Sequence, residues 1–203
     1  MIATLRTAMP TALVALTACS QAPADPASLT EGAWALDNAA SELSYVTIKE
    51  EEVAELNSFE ELSGSVSPDG AANIEIDLAS VNTGVDIRDE RMRDILFVVT
   101  DHPTATVTAQ IDPASFETLG VGESTGTTIE GTLSLTGIDA PVRGDVTVTR
   151  IGPDRVLVVS DAPIIVEARR FELLDGLAQL QAIVELSSIT PVVPVSFSLT
   201  FER

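Results

Sequence analysis

Cys19 is the only cysteine and His102 the only histidine in 203 residues. No disulfide can form within the chain, and the usual histidine and cysteine ligands of a zinc site are missing. Lys49 is the only lysine, and Lys and Arg together number 11 against 31 Asp and Glu, a formal charge of −20. Such a surface repels phosphate backbones, which excludes nucleic acid as a partner, and it keeps a protein in solution. Aromatic residues are few: six Phe, one Tyr and one Trp. An interior built from this chain therefore consists mainly of Val, Ile, Leu and Ala. No glycine-rich phosphate loop and no dinucleotide fingerprint occurs.

The first eighteen residues differ in character from the rest. Arg6 is their only charged side chain, and "TALVALTA" is an apolar run too short to span a bilayer. A charged start, an apolar middle and small residues before a cut are the features of a secretory signal. Its ending, Leu16, Thr17, Ala18 and Cys19, resembles the lipobox of bacterial lipoproteins. That resemblance implies diacylglycerol on the Cys19 sulfur, cleavage just before it, and palmitate-type acylation of the new amino terminus. It also accounts for a lone thiol in an exported chain. Ser20 follows the cysteine, and by the sorting rule of Gram-negative bacteria a residue other than Asp there implies the periplasmic face of the outer membrane. Residues 19–32, rich in Ala, Pro and Ser, read as the lipidated cysteine and a flexible tether. The folded domain is expected over 33–203.

From Trp34 onward the apolar residues alternate with period two. Ala105, Val107, Ala109 and Ile111 share one face; so do Ile129, Leu133 and Leu135, then Val142, Val146 and Val148, then Ile74, Ile76 and Leu78, and last Val195, Phe197, Leu199 and Phe201. Nine strand runs are expected, at 33–36, 43–49, 59–66, 73–80, 104–112, 127–136, 140–151, 155–168 and 193–202. Turn signals such as "SPDG", "TGIDAP" and "IGPD" separate several of them. One dry face per strand with short reverse connections predicts an all-β fold, a closed antiparallel barrel or a sandwich, and closure is favoured because it removes edges that little else here protects. Two segments break the period. "DIRDERMRDILF" places Met92, Ile95 and Leu96 at helical spacing with Asp86 as its cap, which puts the arginines mostly on an outer face. Residues 171–189 carry an apolar stripe of Leu173, Leu177, Leu180, Ile183 and Val184, interrupted at Gly176.

Motifs for catalysis fail on context. "GESTG" matches the nucleophile elbow, but Ser124 falls between two strands rather than at a strand-to-helix turn, and the only histidine precedes it. His102 in "DHP" reads as a turn residue. "KEEEVAELNSFEE" holds six carboxylates without calcium-loop spacing and reads as a charged loop or frayed helix. Nothing assembles a nucleophile, a base and an oxyanion donor, so no enzyme is expected and no metal or cofactor.

Several stretches, in order, resemble the YceI family of bacterial envelope proteins over about residues 33–202: "WALDNAASELSYVTIK", "IEIDLASVNTGVDIRDERMRDILF" with "HPTATVTAQI", "IEGTLSLTGIDAPV" and "APIIVEARRFEL". The resemblance implies an eight-stranded, antiparallel, lipocalin-like barrel with one or two short helices. It further implies a polyisoprenoid or quinone-like lipid in the barrel interior, held without chemistry, for transport, storage or sequestration in the envelope. The alternative is a structural or interaction module with a filled interior. Leu96, Phe97, Leu133, Leu135, Val146, Phe197 and Leu199 are the candidate lining residues, and Arg88 and Arg91 are candidates for a headgroup, with ion pairs to neighbouring acids as the plainer role. Expected partners are the isoprenoid-type lipid, the membrane through the N-terminal anchor and, as an open option, a second copy in a homodimer. Many members of that family carry glycine where Glu172 stands here, which puts the turn after the 155–168 strand, and any headgroup contact near Arg169 and Arg170, in question.

Overall fold

The computed structural model describes residues 28–203; the signal segment, Cys19 and most of the expected tether lie outside the described residues. In chain order the strands are β1 (Trp34–Leu36), β2 (Glu42–Lys49), β3 (Val53–Phe59), β4 (Leu62–Val66), β5 (Ala71–Asp77), β6 (Val81–Asn82), β7 (Thr104–Gln110), β8 (Ser124–Leu135), β9 (Ile138–Gly152), β10 (Arg155–Ser160), β11 (Ile164–Glu167) and β12 (Val192–Glu202). They pair antiparallel in the ring β1-β4-β5-β7-β8-β9-β10-β12, and the ring closes where Ala35 and Leu36 meet Glu202 and Phe201. From the other half of β12 the pairing continues through β2 and β3 to β6, while β11 takes the opposite edge. The segments β1 and β2, β3 and β4, β5 and β6, and β10 and β11 are each two halves of one bent strand. The fold is thus a closed barrel of eight antiparallel staves in up-and-down order. The nine expected runs reduce to the same eight, since 33–36 and 43–49 are halves of the first stave.

Three bends lie side by side and are stitched together. Asp37 and Asp77 each accept the backbone N–H two residues on, from Ala39 at 3.1 Å and Ala79 at 2.8 Å, a local turn that competes with strand pairing. Asn38 Nδ2 donates to the Glu60 carbonyl at 3.1 Å, and Asn38 Oδ1 accepts from Leu62 N–H at 2.8 Å. Ser80 Oγ accepts the N–H groups of Glu60 and Glu61 at 3.1 and 3.0 Å. Side chains thereby satisfy the backbone groups that the bends take out of the ladder.

Alternation sends one face of every stave inward. Val146 and Leu78 are the extremes, 0% and 1% exposed, whereas the Thr residues of β7 face out or lie half-buried. Two pieces of helix cover one end. α1 (Asp86–Arg91) runs directly into a π-helical turn, Met92–Phe97, which ends at Val98 in the left-handed region with φ 50°. Asp86 makes no cap, contrary to expectation. Asp89 reaches back instead and accepts from the Thr83 N–H at 2.9 Å and from the Thr83 hydroxyl. α2 (Leu174–Ile183) is shorter than the expected 171–189 stretch. A Cβ on Gly176 would lie 3.0 Å from the Ile95 carbonyl and 3.2 Å from Leu96 Cα, so the glycine that interrupts the stripe is the point where α2 presses on the π-helical turn.

Other expectations need correction. "KEEEVAELNSFEE" is neither loop nor frayed helix but a hairpin: Glu50 and Glu51 take φ of 54° and 64° at the turn between β2 and β3. Such turns favour Asn and Gly, so two glutamates gave no turn signal. The end of the expected tether belongs to the fold. Leu29 is 8% exposed, its carbonyl accepts from Trp34 Nε1 at 2.8 Å, and Arg203 caps the Trp34 ring at 4.5 Å while donating to Ser28 O. Glu172 takes φ 56° and ψ 26°, so the backbone keeps the conformation a glycine would adopt without cost.

Adjacent substitutions are expected to act in opposite directions on urea unfolding. Phe171→Ala, at a side chain only 2% exposed, lowers stability by about 3–5 kcal/mol. Glu172→Gly raises it by about 0.5–1 kcal/mol by relieving the left-handed strain.

Candidate functional site

The staves enclose two apolar cavities placed end to end. The lower, about 230 Å³, is lined by Val66, Ala72, Ala109, Val148 and Phe201 among others. The upper, about 610 Å³, lies under α1, the π-helical turn and α2. Leu43, Ile76, Val107, Val142, Ile164 and Phe197 line both, so the two share a common waist. The volume follows from composition. Aliphatic side chains and glycine, Val and Leu foremost, make up most of the inward positions, and eight staves enclose more space than they fill. Gly131 and Gly144 are part of the wall; a Cβ on Gly144 would lie 2.7 Å from Ile164 Cδ1, which locates the close approach of β11 to β9.

Leu96, Phe97, Leu133 and Leu135 lie on the wall of the upper cavity, Val146 and Leu199 on that of the lower, and Phe197 on both. Leu173, Leu177, Leu180 and Val184 of the α2 region also face the upper cavity, whereas Ile183 points outward, 46% exposed. Arg88 and Arg91 are not on an outer face. Both line the upper cavity, because the strand leading into α1 lies against β3 through the pairs Ser58–Asn82 and Phe59–Val81. Arg169 and Arg170 border neither cavity and pair with Glu167 instead, at 3.1 and 3.3 Å.

Sequence reasoning missed the inner face of the β2–β3 hairpin. Its paired positions grade from apolar to charged: Leu43 with Phe59, then Tyr45 with Asn57, then Thr47 with Glu55, with Lys49 at the end. Tyr45 stacks on Phe59 at 5.4 Å, and Phe59 meets Phe97 at 5.8 Å, so three of the few aromatic rings form a collar below the polar level. At the opening Glu55 Oε2 accepts from Lys49 Nζ at 2.7 Å and Arg88 Nη1 at 2.5 Å. Arg88 is fixed further by Thr83, through Nε to the hydroxyl at 2.8 Å and Nη2 to the carbonyl at 2.7 Å. Among the described residues, Lys49, Glu55, Arg88 and Arg91 are the charged ones on this cavity's wall. Three of the chain's 11 basic residues therefore gather at one opening of a chain with formal charge −20. The alternation was legible here in "SELSYVTIKE"; what hid the site was the missing turn signal at Glu50 and Glu51.

Burial favours the neutral form of Glu55, yet the hydrogen bonds and charges of Lys49 and Arg88 outweigh it and hold the carboxyl below its ordinary range. The Tyr45 phenol is pushed well above its usual value by burial, with the Asp89 charge adding to the effect and Arg88 opposing it. Its O–H stays protonated and donates to the Met92 sulfur at 3.8 Å, its one partner among the described residues. His102 lies apart from both cavities: its ring Cε1 sits 3.3 Å from where a Cβ on Gly137 would be, and its backbone N–H donates to the Val98 carbonyl. Ser124 Oγ shares a hydrogen bond with Thr149 on the exposed outer face of the barrel.

A closed up-and-down barrel of eight staves around an apolar interior with one polar opening places the protein among lipocalin-like barrels. Within that class the chain belongs to the YceI family, whose YceI-like domain matches residues 34–201. A polyisoprenoid-binding domain from Saccharophagus degradans, implicated in plant cell wall breakdown, is similar at 37% identity and a TM-score of 0.81, over 84% of this chain and 98% of that one. BcnA of Burkholderia cenocepacia shares the fold at 20% identity and a TM-score of 0.63, over 81% of this chain and 98% of its own. No curated protein matches the chain.

The depressed Glu55 carboxyl sets the sign of a pH effect. Its ion pairs stabilise the fold fully above the ordinary glutamate range, and that contribution fades as pH falls through the lowered folded-state value. Melting temperatures of the native chain and of Glu55→Gln are expected to differ at pH 7 and to converge as the solution is acidified, as scanning calorimetry at several pH values would record.

Proposed function

We propose that the protein is a non-catalytic binding protein of the cell envelope that holds an isoprenoid-type lipid inside the barrel, for transport, storage or sequestration. The observation that carries this reading is that two apolar cavities adjoin inside the barrel. Six residues line both cavities, and the charged residues of the larger one all lie at one opening. A slender apolar tail fits such a space lengthwise, threading the waist at Val107 and Phe197, with its polar end by Lys49, Glu55, Arg88 and Arg91. Leu96, Phe97, Leu133 and Leu135 enclose the upper part of the tail; Val146 and Leu199 enclose its far end.

Burial alone is a sufficient handle for such a ligand. At about 0.8 kcal/mol per carbon, each five-carbon isoprene unit gains up to roughly 4 kcal/mol before the cost of ordering it. The reading also agrees with the polyisoprenoid binding named for the Saccharophagus degradans domain. Placement in the envelope rests on the sequence of the leader: lipid on Cys19 anchors the chain to the outer membrane, and two or three acyl chains hold such an anchor stably.

The waist provides the test. Val107→Phe narrows it without adding a polar atom, and is expected to weaken binding of a C40 polyprenol at least tenfold in a calorimetric titration while affecting a C10 prenol little. Equal loss for both lengths would contradict a tail that passes the waist. Cys19→Ala is expected to shift the protein from the membrane fraction to the soluble fraction of lysed cells, and retention on the membrane would refute the anchor.

A further inference from the structure

Tyr45 and Asn57 are direct cross-strand partners on the inner face of β2 and β3, one step in from the charged opening. Both line the upper cavity and both are buried, at 6% and 4% exposure. Asn57 Nδ2 donates to Thr47 Oγ1 at 3.1 Å and to the Glu55 carbonyl at 3.2 Å. Because a carbonyl only accepts, this second bond fixes which way the amide faces. The other amide atom, Asn57 Oδ1, is a buried acceptor with no donor among the described residues. The Tyr45 hydroxyl, its neighbour, donates only to the thioether of Met92, a weak acceptor on a flexible side chain. Nearby donors point elsewhere: the Thr83 hydroxyl to Asp89, and Arg88 to Thr83 and Glu55, while the Thr47 hydroxyl takes the Asn57 amide N–H as an acceptor. One acceptor thus lacks a donor, and the donor beside it has a poor acceptor. A hydroxyl group can serve both, and it displaces only the Met92 sulfur.

Resting on the carrier reading above, we propose that Tyr45 and Asn57 form a specificity site for a hydroxyl on the polar end of the isoprenoid. The ligand oxygen accepts from Tyr45 Oη and donates to Asn57 Oδ1. The preferred ligand is accordingly a neutral prenol rather than an ether or ester that can only accept. An ether oxygen still receives the Tyr45 hydrogen bond but leaves Asn57 Oδ1 unpaired, and an unpaired buried acceptor corresponds to about a tenfold loss of affinity or more.

The full chain, stripped of bound lipid and kept in detergent, is titrated by calorimetry with all-trans-geranylgeraniol and with its methyl ether. The native protein should bind the alcohol about tenfold more tightly. Asn57→Leu, nearly the same shape without the acceptor, should bind the two equally, and Tyr45→Phe should weaken both. If the methyl group were merely too large, the preference would survive in Asn57→Leu. That result overturns the proposal, and so do equal affinities in the native protein, which needs no variant to be read. Equal binding leaves the carrier function standing and removes only the hydroxyl preference. Binding of neither ligand overturns both.

Discussion

Closure of the sheet around short inward side chains is the constraint from which the other features descend. Two residue pairs, Ala35 with Glu202 and Leu36 with Phe201, join the first stave to the last. Once joined, the sheet has a circumference set by eight staves, whatever side chains point inward. Had those positions been Phe and Met, the centre would be solid. They are mostly Val, Ile, Leu, Ala and Gly, so an apolar hollow remains along the axis. The bends at Asp37, Glu60 and Asp77 then carry β2 and β3 past the ring as one wall of the upper cavity, and α1, the π-helical turn and α2 cover it. Asn38 and Ser80 hold those bends at one level, and so define where the tight lower ring gives way to the roomier end.

Polarity along the interior follows from the same geometry. A strand that points every second residue inward presents a column, and on β2 that column reads Leu43, Tyr45, Thr47, Lys49 from centre to opening. The facing column on β3 reads Phe59, Asn57, Glu55. The gradient suits a molecule with one greasy end and one polar end. The strongly acidic chain keeps a local excess of cations at that opening, two of them held in place by Glu55.

Much of this was legible in the sequence where local chemistry and global fold agree. Period-two alternation in "TATVTAQID" and "VRGDVTVTR" marked the dry face of staves whose inner residues, Val107, Val142 and Val146, line the hollow. The glycine in "TGIDAP" marked a hairpin that Thr136 and Gly137 indeed turn, with φ of 51° and 79°. The β2–β3 hairpin was not legible because its turn is made by two glutamates in a conformation they disfavour. The interior placement of Arg88 and Arg91 was hidden for a different reason. Helical spacing gives the faces of a helix but not which one meets the barrel, and that is decided by β6 pairing with β3 far upstream. Leu29 was likewise unreadable, since its burial depends on Trp34 and on Arg203 from the other end of the chain.

The central claim is that the hollow holds a lipid rather than remaining an imperfectly filled core. Native mass spectrometry of the protein released gently from its own envelope, followed by solvent extraction and lipid analysis, tests it most directly. The account predicts one isoprenoid lipid per barrel, lost on extraction and regained on incubation with the extract. A spectrum showing only the bare polypeptide mass from freshly isolated envelopes would contradict it.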